Sequence, residues 1–472
     1  MHDHLLIDGR LVAGAGLLPV IEPASGQIFA QAPHADALQA EQAVAAGKRA
    51  VRDWALVPQD RRAATLDALA DALQAHAEPF ARMLTREQGK LLDEARGEVE
   101  GSIAALRYHA GLRLEPRILK QSAAELVVEQ RFPLGVVVAI VPWNYPLLML
   151  ILKLAPALLA GNTVIAKPAP TTPLTTLMLG ALAAEIFPAG VVQVLGDAGP
   201  SGGFDLGPLL VAHPDVAQIS FTGSQATGRK VLAGAADGLK RFTLELGGND
   251  AALVLDDADV GAIAADLFAG TTANAGQVCL GVKRIYAARN KADDLAEALA
   301  DLARKAVVGD GLAPGSTMGP VQNAAQHRKV LDLAAEAGAL GRIVGQGSAP
   351  AGEGYFIAPT VVRDLPETAR LIREEQFGPL IPVQAYDDLD HAIALANAGD
   401  YALGGSVWSG DAGRAMAVAA RLETGLVWVN RVFDLPFDVP LGGARASGMG
   451  RHQGIEGVEE FTQTRIVNAA LR

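Results

Sequence analysis

Residues 136–141 read VVVAIV, and this apolar run opens the part of the chain that decides the fold. The next apolar runs are TVIA at 163–166, VVQVL at 191–195 and AQISF at 217–221. Helical patterns begin between them, near Leu147, Pro173 and Ser201. Strands that alternate with helices imply a parallel sheet covered by helices. The sequence therefore predicts a doubly wound α/β domain, which would bind ligands at the carboxyl ends of its strands.

The segments before and after this region extend the prediction. Apolar residues at helical spacing from 36 to 112 predict three or four helices, and an Asp8-Gly9 turn between short apolar runs predicts a hairpin at the start. Residues 115–131 have a polar middle and predict a protruding hairpin, with which a strand at 464–467 is expected to pair. After a strand at 241–245 the alternation continues to about Val429, which predicts a second α/β domain.

Composition and charge exclude several classes of function. The net charge of -12, without a basic run, disfavours nucleic acid as a partner. One cysteine cannot form an internal disulfide, and the first ten residues lack the pattern of a secretion signal, so a cytoplasmic location is expected. The histidines are scattered, and no metal site is predicted.

The apolar stretch from 132 to 166 raises the question of a membrane span, because Lys153 is its one charged residue after position 132. The turn PWNYP at 142–146 divides it into two runs, both shorter than the ~20 residues that a bilayer requires. We therefore predict two buried elements joined by a turn, and no membrane span.

The sequence FTGSQATG at 221–228 is a candidate phosphate-binding turn. It places Gly223 and Gly228 between a strand and a helix, where free N–H groups attract an anion. A nucleotide-hydrolysing P-loop is disfavoured, because Gly228 is followed by Arg229 and Lys230 rather than by Lys and Ser or Thr. The fingerprint G-x-G-x-x-G is also absent, so a dinucleotide would be held in another way.

Three residues are candidates for chemistry. A lone cysteine such as Cys279 is more often an inert buried residue, but Gly276 and Gln277 just before it indicate a turn that could present the thiol. Glu245 at a strand end is either a solvated charge or, between apolar neighbours, a carboxyl of raised pKa suited to general base catalysis. Asn144 in the PWNYP turn lies either in a rigid linker or where its amide could stabilise an oxyanion.

Taken together, these motifs resemble the aldehyde dehydrogenase superfamily over residues 20–470. Other matching segments are KLAPAL at 153–158, GNT at 161–163, KP at 167–168, EEQFGP at 374–379, GG at 442–443 and SGMGR at 447–451. The resemblance implies a cofactor-binding domain of 1–113 and 132–245, a catalytic domain of 246–446, and a small β oligomerisation arm of 114–131 and 447–472. It also implies a homodimer or homotetramer.

The resemblance implies that Cys279 is the nucleophile, Glu245 the general base and Asn144 the oxyanion donor, together with the backbone N–H of Cys279. Lys153 matches a lysine near the active site whose role is structural or proton-relaying. The implied reaction oxidises an aldehyde to an acid through a thiohemiacetal and a thioester on the cysteine.

The implied cofactor is NAD or NADP. The residues expected to contact it are Trp143, Lys167, Gly223, Ser224, Gly228, Leu246, Gly247, Glu375 and Phe377. Many relatives read Lys-Pro-x-Glu where this chain has Pro170, so the missing carboxylate leaves the choice between NAD and NADP open. His452 stands where a glutamate is common, and the sequence predicts no consequence for it.

The positions that match the substrate tunnel predict an uncharged, hydrophobic aldehyde. They are Tyr145, Met149, Leu152, Val278, Leu280, Leu435 and Leu441. A quaternary ammonium substrate would want more aromatic faces than Tyr145 supplies, whereas Arg431 keeps a carboxylate-bearing semialdehyde as an alternative. The sequence also leaves open a CoA-acylating dehydrogenase, a class that tends to lack the general base, and a catalytically silent structural or binding relative.

Overall fold

The structure is a computed structural model that describes residues 2–199 and 205–471. In chain order its strands are β1 (Leu5–Ile7), β2 (Arg10–Val12), β3 (Gly16–Glu22), β4 (Gln27–His34), β5 (Arg117–Gln121), β6 (Glu125–Pro133), β7 (Val136–Ile140), β8 (Thr163–Lys167), β9 (Val192–Val194), β10 (Val216–Thr222), β11 (Arg241–Glu245), β12 (Asp250–Val254), β13 (Val282–Ala288), β14 (Arg342–Gln346), β15 (Thr360–Arg363), β16 (Leu380–Tyr386), β17 (Gly404–Trp408), β18 (Leu426–Val429), β19 (Gly448–Met449) and β20 (Thr462–Ala470).

The α-helices alternate with these strands. They are α1 (Ala37–Trp54), α2 (Gln59–Ala75), α3 (Ala77–Gln88), α4 (Leu92–Gly111), α5 (Pro146–Leu159), α6 (Leu174–Ile186), α7 (Leu206–Ala212), α8 (Gln225–Ala235), α9 (Val260–Thr272), α10 (Arg289–Lys305), α11 (Ala324–Leu340), α12 (Arg370–Arg373), α13 (Leu389–Ala396), α14 (Ala412–Ala419) and α15 (Gly454–Glu459). The helices predicted between 36 and 112 are confirmed as α1 to α4. The helix predicted near Ser201 falls on residues outside the described ranges, and α7 begins at Leu206.

The first sheet has the strand order β19-β11-β10-β7-β8-β9-β1-β2. Its central strands, β9-β8-β7-β10-β11, are parallel, and every residue of β7 and β8 is buried. This burial explains why they read as continuous apolar runs. The chain reverses its direction of travel across the sheet between β7 and β10. That switch point, at the carboxyl ends of the strands, is where doubly wound sheets bind ligands.

A second sheet has the strand order β14-β15-β16-β13-β12-β17-β18. Its strands are parallel except for β14, which pairs antiparallel with β15 at one edge. The chain passes from the end of β11 at Glu245 to the start of β12 at Asp250 in a few residues. The carboxyl edge of the first sheet therefore faces the amino edge of the second. The doubly wound sheet and the second α/β region predicted from the sequence are both confirmed.

A small sheet of β20-β6-β5 lies apart from these two. It confirms the predicted hairpin at 115–131 and its pairing with the terminal strand. Within residues 447–471, β19 pairs instead with β11 of the first sheet. The predicted first hairpin, β1 with β2, joins the first sheet beside β9. The sequence did not predict the hairpin of β3 and β4.

The apolar stretch 132–166 folds as predicted into two buried elements around a turn. These elements are β7 and α5, and Pro146 opens α5, where its fixed φ suits the first helical turn. Lys153 lies inside α5 and is fully buried. None of the helices in the described part of the chain is long and apolar enough to cross a bilayer.

Candidate active site

A cavity of about 550 Å³ lies between the carboxyl edge of the first sheet and the segments that precede β13 and β16 of the second. It brings together most residues that the sequence singled out: Trp143, Asn144, Tyr145, Met149, Leu152, Gly223, Ser224, Glu245, Leu246, Gly247, Val278, Cys279, Leu280, Glu375, Phe377, Leu435 and Leu441. Among the predicted site residues, Lys153, Lys167, Gly228 and Arg431 do not line it. The motifs that are far apart in sequence therefore meet at one place.

Cys279 is presented by a strained turn between α9 and β13. Asn274 and Ala275 have left-handed backbones with φ of 50° and 55°. Gly276 has a φ of 77°, and a Cβ there would lie 2.4 Å from the backbone of Gly378. Such strain clusters at functional sites. The turn predicted from Gly276 is confirmed, and the thiol is partly exposed to the cavity.

The electrostatics around Cys279 favour the neutral thiol in this structure. Burial raises the pKa of Cys279 to about 12, and the carboxyls of Glu375, Glu245 and Asp250 raise it further. Lys283 acts in the opposite direction and lowers this pKa. The balance between burial and this ammonium group therefore sets how readily the thiolate forms.

The amide of Asn144 is directed at the segment that carries Cys279. Its Nδ2 donates to the carbonyl of Gln277 at 2.9 Å, which leaves one further N–H of the same amide for another acceptor. Asn144 is 6% exposed, so this donor lies in a largely dry environment. An amide N–H held in this way can stabilise negative charge that develops on a carbonyl oxygen.

A buried ion pair that the sequence did not reveal holds Asn144 in place. Lys90 Nζ donates to the carbonyl of Asn144 at 2.9 Å and lies 2.5 Å from Glu98 Oε2, and both charged side chains are fully buried. The other oxygen of Glu98 accepts the N–H groups of Leu147 and Leu148 at the start of α5. In a polar helical segment a lysine and a glutamate look like solvated residues, so no sequence signal marked them.

Glu245 ends β11 and is 8% exposed on the cavity wall. Within the described residues its Oε1 accepts no hydrogen bond. Burial raises the pKa of Glu245 to about 8, while Lys153 and Arg451 lower it. A carboxyl with a pKa near neutral pH can both take up and release a proton, which suits a general base.

Lys153 and His452 lie side by side behind Glu245. Lys153 Nζ donates to Thr222 Oγ1 at 2.7 Å and lies 3.3 Å from His452 Nε2. Burial lowers the pKa of Lys153 to about 7, and Glu245 raises it. Burial, Lys153 and His109 together hold the pKa of His452 well below its ordinary value, so the imidazole is neutral. His452, for which the sequence predicted no consequence, is therefore an uncharged part of the cavity wall.

The other end of the cavity has the features of a dinucleotide site. At the switch point, Gly223 and Ser224 open α8, and the Ser224 side chain accepts the Thr227 N–H as its N-cap. A Cβ on Gly223 would lie 2.6 Å from the Phe221 ring, and one on Gly228 would lie 2.6 Å from Leu246. These close approaches require glycine, and they leave the N–H groups of a helix start open to an anion.

Two further groups line this end. Glu375 Oε1 accepts the Gly248 N–H at 3.0 Å, and a Cβ on Gly247 would lie 2.4 Å from the same carboxylate. The rings of Trp143 and Phe377 meet edge to face, with centroids 5.3 Å apart. Aromatic faces, a carboxylate for ribose hydroxyls and a glycine turn for phosphates are the groups that a nicotinamide dinucleotide requires, so the residues present fit it.

Lys167 at the end of β8 forms an ion pair with a residue that the sequence did not single out. Its Nζ lies 2.5 Å from Asp197 Oδ2, and both side chains are buried. Asp197 follows β9, the neighbouring strand, and its Oδ1 accepts the N–H groups of Gly199 and Leu206 at 3.0 and 3.1 Å. A carboxylate is thus fixed beside Lys167, although Pro170 replaces the glutamate expected in sequence.

The walls beyond Cys279 are apolar. Besides the predicted residues they contain Leu148, Leu403, Phe433 and Phe437. Phe433 and Phe437 add aromatic faces that the sequence motifs did not reveal, while the Lys90 ammonium already lies 3.7 Å from the centre of the Tyr145 ring. Arg431 was expected at the pocket but does not line it: its guanidinium is largely exposed and pairs with Asp434.

The fold and the site together define an α/β enzyme in which a dinucleotide-type sheet edge and a single cysteine share one cavity. The family model described as "Aldehyde dehydrogenase family" matches residues 12–467. This chain belongs to the aldehyde dehydrogenase family. Its activity is the oxidation of an aldehyde with a nicotinamide dinucleotide, NAD or NADP.

Comparison with known proteins agrees over the whole chain. A probable aldehyde dehydrogenase of Pseudomonas sp is 41% identical over 98% of this chain and 94% of its own length. The phenylacetaldehyde dehydrogenase of Pseudomonas fluorescens is 36% identical over the same fractions. The crystal structure of betaine aldehyde dehydrogenase from Staphylococcus aureus in complex with NAD+ is 31% identical, with a TM-score of 0.95, covering 100% of this chain and 95% of that one.

Proposed function

We propose that Cys279, Asn144 and Glu245 carry out a hydrolytic aldehyde oxidation, with release of the acid to water. The observation that carries this proposal is that the three side chains, from three separate segments, line one cavity with the dinucleotide-type edge. An aldehyde panel with NAD+ and with NADP+, followed by the absorbance of the reduced cofactor, tests it. A catalytically silent relative would give no absorbance change with any aldehyde.

In the proposed mechanism the Cys279 thiolate adds to the aldehyde carbonyl. The second N–H of Asn144 and the backbone N–H of Cys279 hold the oxyanion. The nicotinamide, when bound, accepts the hydride that leaves this carbon. A thioester on Cys279 remains, and Glu245 removes a proton from the water that hydrolyses it, so that the thiol and the acid are regenerated. Lys153, beside Glu245, would hold or relay a proton.

We propose that the cofactor residues act where they lie around the sheet edge. Ser224 and Trp143 would contact the pyrophosphate, with Gly223 and Gly228 giving room for it. Glu375 would hold the nicotinamide ribose, with Gly247, Leu246 and Phe377 beside it. Lys167 would hold the adenosine ribose. With Asp197 fixed next to Lys167, a 2′-phosphate would meet a carboxylate, which favours NAD over NADP.

Asp197→Asn is therefore expected to weaken the preference for NAD. The amide can still accept the two N–H groups that the carboxylate accepts, but it no longer repels a phosphate and it frees the Lys167 charge. Affinity for NADP+ should rise about tenfold, as for a change of about 1.4 kcal/mol. Calorimetric titration with each cofactor, without any aldehyde, measures the two affinities.

Asp215→Asn is the matched control, because its carboxylate pairs with Lys48 away from this site. It should leave both cofactor affinities unchanged. The NAD assignment is wrong if the parent protein binds NADP+ more tightly than NAD+. The role of Asp197 is wrong if Asp197→Asn leaves the affinity ratio at the parent value.

We propose an uncharged, hydrophobic aldehyde as the substrate, with an aromatic or aliphatic tail. Support comes from the apolar wall of Leu148, Met149, Leu435 and Phe437, and from a relative named for phenylacetaldehyde. Burying a charged group against such a wall without a partner is costly. Arg431, the residue that could favour a semialdehyde, is paired with Asp434 outside the cavity.

Phenylacetaldehyde and octanal should have kcat/KM values about 100-fold above those of succinate semialdehyde and betaine aldehyde. Arg431→Ala should leave all four values unchanged, because its guanidinium contacts no cavity residue. Initial rates at several aldehyde concentrations measure this. A strong preference for succinate semialdehyde would instead favour a semialdehyde dehydrogenase, and a preference for betaine aldehyde would mean that Phe433 and Phe437 serve a cation.

We also propose the division into a cofactor-binding domain, a catalytic domain and an arm, with a homodimer or homotetramer formed through the arm. The small sheet exposes the apolar side chains of Ile118, Leu119, Ile466 and Val467, and β20 is one of its edges. Exposed apolar strands at a sheet edge are suited to pairing with a second copy. A cytoplasmic location is proposed from the single cysteine.

A further inference from the structure

Lys283, the second residue of β13, lies directly behind the turn that carries Cys279. Its side chain is 2% exposed. The ammonium group donates to the carbonyl of Val278 at 2.5 Å and to the carbonyl of Gly281 at 2.9 Å. These two carbonyls lie on either side of Cys279 in the sequence. The ammonium group therefore closes the turn around the thiol.

The charge of Lys283 has no carboxylate partner close by. The buried ammonium groups of Lys90 and Lys167 each lie 2.5 Å from a carboxylate oxygen. In the part of the chain that the structure describes, Lys283 has no such partner within 4.0 Å. A buried charge is costly unless it is compensated. The anion that the reaction creates next to it is the Cys279 thiolate.

The surrounding carboxyls do not remove this effect. Glu375 and Asp250 act on Lys283 from a longer distance and favour its charged form, against burial, which lowers the pKa of Lys283. The same two carboxyls and Glu245 raise the pKa of Cys279, and Lys283 is the group that lowers it. The lysine is thus the one described group that favours the thiolate.

Lys283 also acts on the backbone of the turn. The carbonyl of Val278 belongs to the same peptide unit as the N–H of Cys279. A charge-assisted hydrogen bond to that carbonyl polarises the peptide unit and makes its N–H a stronger donor. The N–H of Cys279 is one of the two proposed oxyanion donors, so the same contact would strengthen it.

We propose that Lys283 is a positioning residue for the nucleophile, which compensates the Cys279 thiolate and polarises the Val278–Cys279 peptide unit. The proposal rests on the proposed role of Cys279 as the nucleophile. It assigns to Lys283 a function that is separate from that of Lys153, which contacts Thr222 and His452 on the other side of the cavity.

Alkylation of the free enzyme by iodoacetamide tests this inference at one thiol, because Cys279 is the only cysteine. Lys283→Gln removes the charge but keeps a donor, Lys283→Met removes both, and Lys283→Arg keeps the charge. Between about pH 7.5 and 9 the first two variants should be alkylated about tenfold more slowly at every pH, as for a rise of one unit in the thiol pKa. Lys283→Arg should remain within about threefold of the parent, since its charge is retained.

A second readout separates charge from shape. The negatively charged reagent iodoacetate is attracted by an ammonium group, so its rate relative to iodoacetamide should fall in Lys283→Gln. If the methionine variant does not fold, the glutamine variant decides, with its unfolding temperature measured alongside. Alkylation of Lys283→Gln at the parent rate with both reagents would overturn the proposal.

The two possible failures are distinguishable. Alkylation needs neither aldehyde nor cofactor, so it reports on Lys283 even if Cys279 proves not to be the nucleophile. In the enzyme assay, Lys283→Gln should lower kcat about tenfold or more with KM within about threefold, because a weakened donor acts on the transition state. A loss that is confined to KM would contradict the proposal.

Discussion

Cys279→Ser should lower kcat for aldehyde oxidation by at least about 10⁴-fold. A serine hydroxyl is far less nucleophilic than a thiolate, and the cavity contains no base placed to activate it as an alkoxide. The change is small in volume, and Cys279 forms no disulfide, so the fold should be retained. Rates of cofactor reduction with phenylacetaldehyde, with purified variant and parent at equal concentration, measure the loss.

The binding of NAD+ provides the control for Cys279→Ser. The proposed dinucleotide contacts come from Ser224, Glu375 and Lys167, none of which the substitution changes. The dissociation constant for NAD+ should stay within about threefold of the parent, below 1 kcal/mol. If the serine variant oxidised aldehydes at the parent rate, another nucleophile would have to act, and the assignment of Cys279 would be wrong.

Glu245→Gln should separate the two halves of the reaction. Hydride transfer needs Cys279 and Asn144, whereas hydrolysis of the thioester needs a base at position 245. Rapid mixing with aldehyde and NAD+ should therefore give a burst of about one reduced cofactor per active site, followed by turnover about 10² to 10⁴-fold slower than in the parent. Burial already favours the neutral form of this carboxyl, so the neutral amide should not destabilise the fold.

Addition of CoA to Glu245→Gln tests whether the enzyme is of the CoA-acylating type. A CoA-acylating relative would transfer the acyl group to CoA and recover rapid turnover in the variant, whereas a hydrolytic enzyme should not. Glu245→Asp serves as a matched variant, because it keeps a carboxylate but shortens its reach and should retain more steady-state activity than the glutamine variant. Unchanged acid formation in Glu245→Gln would show that Glu245 is not the base.

The first sheet could be predicted from the sequence because its central strands are buried on both faces. Such strands read as continuous apolar runs, as at 136–141, and the helices between them mark a parallel sheet. The hairpin of β3 and β4 was not predicted. Pro19 lies within it, and the apolar Leu17 and Ile28 are exposed, so the strands lack the alternation that a half-buried hairpin usually shows.

Much of the site could be predicted from motifs, but its supporting contacts could not. Lys90 holds Asn144 across 54 residues of sequence, and single charged residues in helices normally read as solvated. Asp197 restores a carboxylate beside Lys167 from a neighbouring strand end, which the missing glutamate at position 170 could not reveal. The opposite error concerns Arg431, since sequence alone does not show that Asp434, three residues later, pairs with its side chain.

The most direct test of the proposed mechanism is the mass of the protein in mid-reaction. Glu245→Gln, incubated with NAD+ and phenylacetaldehyde and quenched in acid, should carry one phenylacetyl group per chain, and peptide mapping should place it on Cys279. The double variant with Cys279→Ser should carry none. An unmodified Glu245→Gln protein after the burst, or an acyl group on another residue, would contradict the thioester mechanism.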